Sequence, residues 1–560
     1  MASESALVLI DVDRIHEYIF STRRLREMRS ASALVSKINE EDVPQLAADA
    51  GGTPLVKTAG VAHVLFPSSA VNKAEGFCRE ASAEFWKQTH QATATGVCVR
   101  FARKSGKYTV QLPSGAYEVS QFSSVVTRAR ELLQQRKNRA DCPSVPIDHP
   151  LFRLCELCGN RAAEFVRRAP GRGSFERLCT ACSAKAKFVP DGGTAQHTAL
   201  ARVAKGVCEQ AADRLRRADG IRDRWRDLEV ELPDCFGGLA ARVLERDEDE
   251  IDPERFGYSS YMAFIAADGN QVGKFWEEFE GDEGGYAQVS ECIRESTEEA
   301  LIGTIVDLFV ERVAQRRERP DGNGRRWVVP FLPIIIGGDD VLCVAAGSYG
   351  VELAQRFCVA FEAKLRCKLR GTAAQEKRVT MSAGVVIAKH KFPASRLNEL
   401  ASQLQLEAKR MSRRCSGAGA LDFMVVTSGV SRNIGDLRKE QYCSEGALEP
   451  DLTMRPYVVT GEQSVEKLLG AVRGLARSRF PRSKLKRLPE VMRLGRERRA
   501  EELRSFRASL DDPHRKAFGT VVDEFQLKDG FSDGATPLVD IAEIYDILLE
   551  DQPRTKEGAE

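Results

Sequence analysis

The sequence lacks a dominant charge. Across 560 residues, 83 Lys and Arg stand against 81 Asp and Glu, a formal net charge of +2. A global basic field is thereby excluded, and any nucleic-acid contact must come from local patches. It also lacks long apolar runs: no stretch approaches the roughly twenty apolar residues needed to cross a bilayer. The Ala6 to Ile10 run is cut short by Asp11, which predicts a strand and not a signal peptide. Few aromatics interleave the basic stretch Arg473 to Arg504, which contains Arg477, Arg479, Arg482, Lys484, Lys486 and Arg487. Stacking on single-stranded bases is unsupported there, leaving a solvated helical face or a salt-sensitive contact with RNA or a partner.

What is present is a globular chain, 42% hydrophobic, long enough for several structural units. Its most informative segment is Pro333 to Ala346, where Gly337-Gly338-Asp339-Asp340 joins two β-branched, apolar runs. The glycines permit a tight turn, so Asp339 and Asp340 project from a rigid hairpin. Adjacent carboxylates repel each other unless a divalent cation neutralises them, and Mg²⁺ or Mn²⁺ suits such oxygen ligands. The alternative is an Asp-rich surface turn, which does not need long apolar strands on both sides.

Upstream, Tyr261 to Ala267 reads as a strand ending in Asp268, followed by Gly269, Asn270, Gly273 and Lys274 at a turn into a helix. In polymerase and cyclase palms, metals are held by a carboxylate at the end of the first strand and by carboxylates on a neighbouring hairpin. Asp268, Asp339 and Asp340 supply these in order. Backbone NH groups of Gly269, Asn270 and the following helix start form a candidate triphosphate cradle. Arg378 to Ala388 reads as a further strand and Leu397 to Arg413 as an amphipathic helix, completing a ferredoxin-like order. Lys409 on that helix is placed to meet a β- or γ-phosphate, or else is an ordinary solvated lysine.

The arrangement repeats. Ala6 to Ile15 parallels the Asp268 strand, Leu55 to Phe66 the hairpin, and Thr95 to Ala102 the strand around Gly384. The first hairpin carries Ala59-Gly60-Val61-Ala62 in place of Gly-Gly-Asp-Asp. Asp11 and Asp13 therefore lack hairpin partners, which predicts two facing palms of which the first is not catalytic.

Between them lie Cys155-x-x-Cys158 and Cys179-x-x-Cys182, about twenty residues apart. This spacing predicts a closed, structural four-thiolate Zn²⁺ site. It would staple a basic excursion containing Arg161, Arg167, Arg168, Arg172 and Arg177; disulfides or a redox pair are the alternatives. With fifteen Cys in all, the pattern predicts a reducing cytoplasm.

The combination of Asp11 to Phe20, Leu25 to Leu34, the Cys155 to Cys182 knuckle, Asp268-Gly-Asn, Gly337-Gly-Asp-Asp and the Ser382-Ala-Gly strand resembles the large palm-domain subunit of type III CRISPR effector complexes. The resemblance implies an α/β (α+β) chain with two ferredoxin-like palm domains, an intervening zinc-knuckle module and a helical C-terminal domain. It implies a crRNA-guided, RNA-targeting antiviral assembly with companion subunits, in which this subunit converts ATP to cyclic oligoadenylates. Carried over by position, Asp268, Asp339 and Asp340 are the metal carboxylates, Gly337 and Gly338 face the nucleotide, and Lys409 is a looser transfer. Many members begin with a phosphohydrolase domain bearing a His-Asp motif. This chain enters its first palm within about ten residues and contains no His-Asp dipeptide, so DNA cutting by that domain is not expected.

The expected divisions are 1–140 for the first palm, 141–200 for the zinc module, 201–254 for a helical linker, 255–430 for the catalytic palm and 431–560 for the helical C-terminal domain. Pro-rich 141–150 reads as a rigid link, 245–252 as an acidic loop, and the tail after Asp551 as disordered. Ser464 to Leu475 and Glu490 to Leu510 are expected to be helical. Other readings are a nucleotide- or RNA-binding scaffold without turnover and a diguanylate-cyclase-like (GGDEF) synthase using GTP, whose hairpin would carry Glu at the Asp340 position.

Overall fold

The computed structural model describes residues 4–58, 60–139, 153–169, 174–188, 197–217, 228–242, 261–315, 318, 320, 326–426, 433–442 and 451–549. The expected Pro-rich link, acidic loop, disordered tail and Arg172 lie outside the described residues.

The first sheet is built from β1 (Glu4–Asp13), β2 (Thr53–Thr58), β3 (Val61–Phe66), β4 (Thr93–Lys104), β5 (Lys107–Leu112) and β6 (Gly115–Val119), ordered β2-β3-β1-β4-β5-β6. Around it run α1 (Ile15–Ile19), α2 (Leu25–Lys37), α3 (Val43–Ala50), α4 (Ala74–Thr89) and α5 (Phe122–Arg139). Central β1 buries Ala6 to Ile10 continuously, as expected of a strand covered on both faces. It is antiparallel to both neighbours, with Asp11 opposite Val61 on one side and Thr95 on the other.

The Cys-rich segment forms the ribbon β7 (Phe165–Arg168) and β8 (Phe175–Leu178), then α6 (Thr180–Lys187). Next come α7 (Ala199–Arg217), β9 (Glu229–Glu231) and α8 (Phe236–Ala241). Arg167, expected within the stapled basic excursion, pairs with Glu27 of α2 at 2.7 Å and with Glu176. Arg24 meets Glu176 at 2.8 Å. Both glutamates are buried, so this charge fastens the module to the first palm.

The second sheet takes β10 (Tyr261–Gly269), β12 (Phe331–Gly337), β13 (Asp340–Ala346), β14 (Met381–Lys389), β15 (Ala420–Val426) and β16 (Tyr457–Val458), ordered β12-β13-β10-β14-β15-β16. The short strand β11 (Arg326–Val328) pairs in parallel with β9. Helices α9 (Val272–Glu277), α10 (Glu283–Ala314), α11 (Gly350–Lys368) and α12 (Ala394–Arg414) complete the unit. In each sheet the first strand of the unit is central, with the hairpin on one side and the fourth strand on the other. This is the ferredoxin-like pattern twice over. β14 begins at Met381, three residues after the expected start, because Thr380 is drawn into bonds with the Asn270 turn.

The two palms share a core. Ile10, Tyr18 and Leu34 of the first lie in one apolar cluster with Phe264, Leu332 and Val344 of the second. Each such side chain contributes roughly 1.5–3 kcal/mol on burial.

The C-terminal region is helical: α13 (Ile434–Gln441), α14 (Val465–Arg477), α15 (Arg482–Met492), α16 (Arg496–Ala508), α17 (Asp512–Glu524) and α18 (Leu538–Leu549). The single helix expected over Glu490 to Leu510 is split, with Gly495 capping the start of α16. Part of the basic stretch has carboxylate partners: Arg473 meets Glu352 at 2.5 Å, Arg482 and Lys486 share Asp546, and Arg487 meets Glu502. Among the described residues, no helix is long and apolar enough to cross a membrane.

Candidate functional site

β10 delivers Asp268 and Gly269 to the edge of the second palm, where Asn270 anchors the turn. Its backbone NH donates to the Thr380 carbonyl and its Nδ2 to Thr380 Oγ1, both at 2.8 Å. That NH is therefore committed and does not serve the phosphate cradle expected from the sequence. Gln271 follows in a left-handed conformation and α9 begins.

Asp339 sits against this turn. Burial pushes its carboxyl well above the usual range, helped by the Asp268 charge, by a hydrogen bond between the two carboxyls, and by Asp340. Asp340 is pushed up to about 7, first by surrounding protein and then by Asp268, with Lys409 opposing. Its side chain nevertheless has a solvent-exposed face. Water reaches that face and screens the charge, so we assign the stronger perturbation to half-buried Asp339. The three carboxylates are not drawn into one tight triad. Among the described residues, only the cysteine cluster gathers three or more such ligands with donor atoms mutually within 4.8 Å.

Lys409 forms an ion pair with Asp268. In this state it neutralises the strand-end carboxylate instead of reaching across to a phosphate. Asp339 and Asp340 have no cationic side chain at ion-pair distance among the described residues. An all-oxygen, anionic pair beside Asp268 fits a hard divalent cation.

A cleft of about 370 Å³ opens beside Asp268, lined by Gly269, Gly273, Lys274, Lys409 and Arg413 among others, within the size range of small-ligand sites. A side chain at Gly273 would meet only open space. Gly337 and Gly338 are absent from this lining. Gly337 pairs with Asp340, and Gly338 turns with φ +68 against the first palm, where an added Cβ would lie 3.7 Å from Thr58. The hairpin turns of the two palms thus abut.

Several residues escaped sequence reasoning. Ser412 and Arg413 share a helical face with Lys409, and that i, i+3, i+4 spacing was a usable signal. Asn39 was not foreseeable. It lies in a π-helical turn, Ile38–Asp42, and its fully buried amide donates to the Val61 carbonyl at 2.8 Å and to the Thr58 carbonyl. It thereby ties the two arms of the first hairpin together at their turn. In the first palm, Lys137 occupies the carboxylate edge, 2.9 Å from Asp11 and 3.2 Å from Asp13. Asp13 also accepts from Thr95 Oγ1 at 3.0 Å.

Gly269 tests this geometry. A Cβ there would stand 2.5 Å from Val272 Cγ2, 2.6 Å from Asp339 Oδ2 and 3.1 Å from Asp339 Cβ, so Gly269→Ala must push aside both side chains, the carboxylate included. Divalent-cation affinity of the variant, measured by calorimetry, is expected to fall by about tenfold or more, whereas Gly273→Ala should leave it unchanged.

The four cysteines form a second centre. Cys155 and Cys158 flank a knuckle, and Cys179 caps α6, its Sγ accepting the Cys182 NH at 3.4 Å. All four are free thiols. Their Sγ atoms lie mutually within 4.8 Å, and Cys158 and Cys179 are 3.9 Å apart. A tetrahedral Zn²⁺ with ~2.3 Å bonds requires sulfur separations of about 3.8 Å, so the cluster fits such an ion.

Residues 261–416 match the family model described as Cas10/Cmr2, second palm domain. No curated protein matches the chain by sequence. Three crystal structures of a Csm1-Csm4 cassette share its fold. The one in complex with cA3 has a TM-score of 0.52 at 15% identity, covering 98% of this chain and 70% of that one. The apo cassette gives 0.51 at 14%, over 98% and 69%. The cassette in complex with one ATP gives 0.52 at 14%, over 98% and 70%. The second palm accordingly belongs to the Cas10/Cmr2 palm family, within a chain that has the overall fold of these Csm1-Csm4 structures.

Proposed function

We propose that this chain is the nucleotide-joining large subunit of a type III CRISPR effector, linking ATP into cyclic oligoadenylates at the second palm. The observation that carries the reading is the meeting of Asp339 with Asp268 and its turn, where Asp268 itself lines a cleft with Lys274, Lys409 and Arg413; Asp339 and Asp340 stand behind Asp268, outside that lining. The similar folds solved with one ATP and with cA3 support adenine nucleotides as the substrate class.

In this reading a ribose hydroxyl oxygen attacks the α-phosphorus of a second ATP, the bond to pyrophosphate breaks, and the hydroxyl proton passes to solvent. Asp268 and Asp339, with Asp340 at the rim, would hold Mg²⁺ or Mn²⁺. Such ions lower the pKa of the attacking hydroxyl and stabilise the leaving pyrophosphate. Lys409 pairs with Asp268 in this state; were a cation to satisfy Asp268, the ammonium would be free to turn to a phosphate oxygen. Lys274 and Arg413 add positive charge along the same cleft. The first palm, its carboxylates held by Lys137, is not a second catalytic centre; it meets the second palm at the hairpin turns, where Gly338 faces Thr58. Target RNA, crRNA and companion subunits belong to the same proposal.

The test is incubation of the purified chain with each NTP and Mg²⁺ or Mn²⁺, with and without RNA and companion subunits, followed by mass spectrometry of the products. Cyclic oligoadenylates from ATP alone among the nucleotides are expected. Cyclic diguanylate from GTP, or nucleotide binding without product even in the full assembly, would overturn the reading.

A further inference from the structure

Lys185 is fully buried, at 0% exposure. Its Nζ donates to the Tyr18 carbonyl at 2.6 Å and to Ser21 Oγ at 2.7 Å, and lies 4.0 Å from the centroid of the Tyr18 ring. All of these groups belong to the first palm, and none is an anion. A buried ammonium without a counter-charge is costly, yet no carboxylate of the described residues reaches Lys185. Burial pulls its pKa down to about 8, with the neighbouring Cys182, Cys158 and Cys179 opposing that fall, and it stands on α6 one turn beyond Cys182.

Tyr18 points to the same place. Its hydroxyl is buried and has no hydrogen-bond partner among the described residues. Burial pushes the pKa of this hydroxyl well up, and Cys182 is the neighbouring group that adds to the shift. An unsatisfied buried hydroxyl and an uncompensated buried ammonium thus converge beside the thiol cluster.

We propose that Lys185 and the Tyr18 hydroxyl are the counter-charge and the hydrogen-bond donor of a divalent-metal tetrathiolate at Cys155, Cys158, Cys179 and Cys182, coupling metal occupancy to docking of this module on the first palm. Four thiolates around a divalent ion carry a net charge of −2, and outer-shell cations and donors stabilise such ligands. The ammonium then has its anion on one side while binding Tyr18 and Ser21 on the other. Without the metal, the thiols reprotonate and Lys185 is left as an isolated buried charge, which loosens the contact with α1. The inference rests on the metal reading of the cysteine cluster and is independent of the nucleotide chemistry.

The experiment uses the full chain, zinc-loaded or stripped by chelator under reducing conditions, as wild type, Lys185→Met and Tyr18→Phe. Thermal unfolding is followed in both metal states, together with zinc release to a chromophoric chelator. Near-stoichiometric zinc is expected in the wild type. Lys185→Met should release zinc about tenfold faster. It should also lower the Tm of the loaded protein while raising that of the stripped protein, a change of sign that loss of a merely structural contact would not produce. Tyr18→Phe should speed release with an unchanged stripped Tm. Substoichiometric zinc in the wild type, or equal Tm shifts for Lys185→Met in both metal states, would overturn the proposal. Should Lys185→Met fail to fold, an unaltered release rate in Tyr18→Phe would overturn it alone.

Discussion

Asp339→Ala is expected to lower nucleotide joining by about 10³-fold, the scale of losing a central electrostatic contributor to a phosphoryl transition state. The more discriminating substitution is Asp339→Asn, which keeps the side-chain shape and removes the charge. Activity should fall as far, but thermal stability of the metal-free protein should rise. The reason lies in the ground state. Burial and the charges of Asp268 and Asp340 raise the Asp339 carboxyl above its unfolded value. A group raised in this way contributes stability that is complete below its unfolded pKa and is lost as pH rises through the folded one. The metal-free chain should therefore lose stability as pH climbs from mildly acidic through neutral. Mg²⁺ or Mn²⁺ should restore it most strongly at the alkaline end, where the carboxylates are fully ionised. Asp339→Asn should flatten that profile and abolish the rescue. Differential scanning fluorimetry across pH, with and without the cation, separates these outcomes. If Asp339→Asn destabilised the metal-free protein at every pH, the pair would be a structural hydrogen bond and not a cation site.

The sequence conveyed this site unevenly, for physical reasons. Strand ends and glycine turns are local features, so Asp268 and the Asp339–Asp340 hairpin were legible from alternating apolar runs and the residues that interrupt them. The doubled palm was legible for the same reason, and so was the cysteine spacing. Gly337 and Gly338 were placed at the nucleotide by the family resemblance alone, since the direction in which a turn faces depends on what packs against it. Here that is Thr58 of the first palm. Asn39 and Lys137 act across about twenty and more than a hundred residues of sequence respectively, and no periodicity marks such partners. Lys185 was hidden because it reads as a helical surface lysine, whereas docking of α6 on the first palm buries it completely. The basic C-terminal stretch was legible only in part. Its charge was legible but its carboxylate partners, Glu352 and Asp546, were not.

Gly384→Ala is expected to be the most destabilising conservative change in the second palm, at about 3 kcal/mol or more. Gly384 lies in the middle of β14, opposite Ala266 of β10 and beside Asp422 of β15. Here α12 crosses the sheet so closely that an added Cβ would fall within van der Waals overlap of the Ala401 carbonyl and the Gln405 nitrogen, and 2.9 Å from the Leu404 carbonyl carbon. All three are backbone atoms inside a helix, so no side-chain rotation relieves the clash. The helix must lift. Leu397, Leu400, Leu404 and Ala408, all fully buried at this face, would lose their packing, and Lys409 would move away from Asp268. The variant should therefore unfold at lower temperature and bind nucleotide more weakly together, because one rigid-body shift causes both. Gly474→Ala is the control: it lies on the exposed face of helix α14 with open space around the added atom, and is expected to gain roughly 0.8–1 kcal/mol from helix propensity alone. If Gly384→Ala were as well tolerated as Gly474→Ala, the close seating of α12 on β14, and with it the placement of Lys409 over the carboxylates, would be wrong.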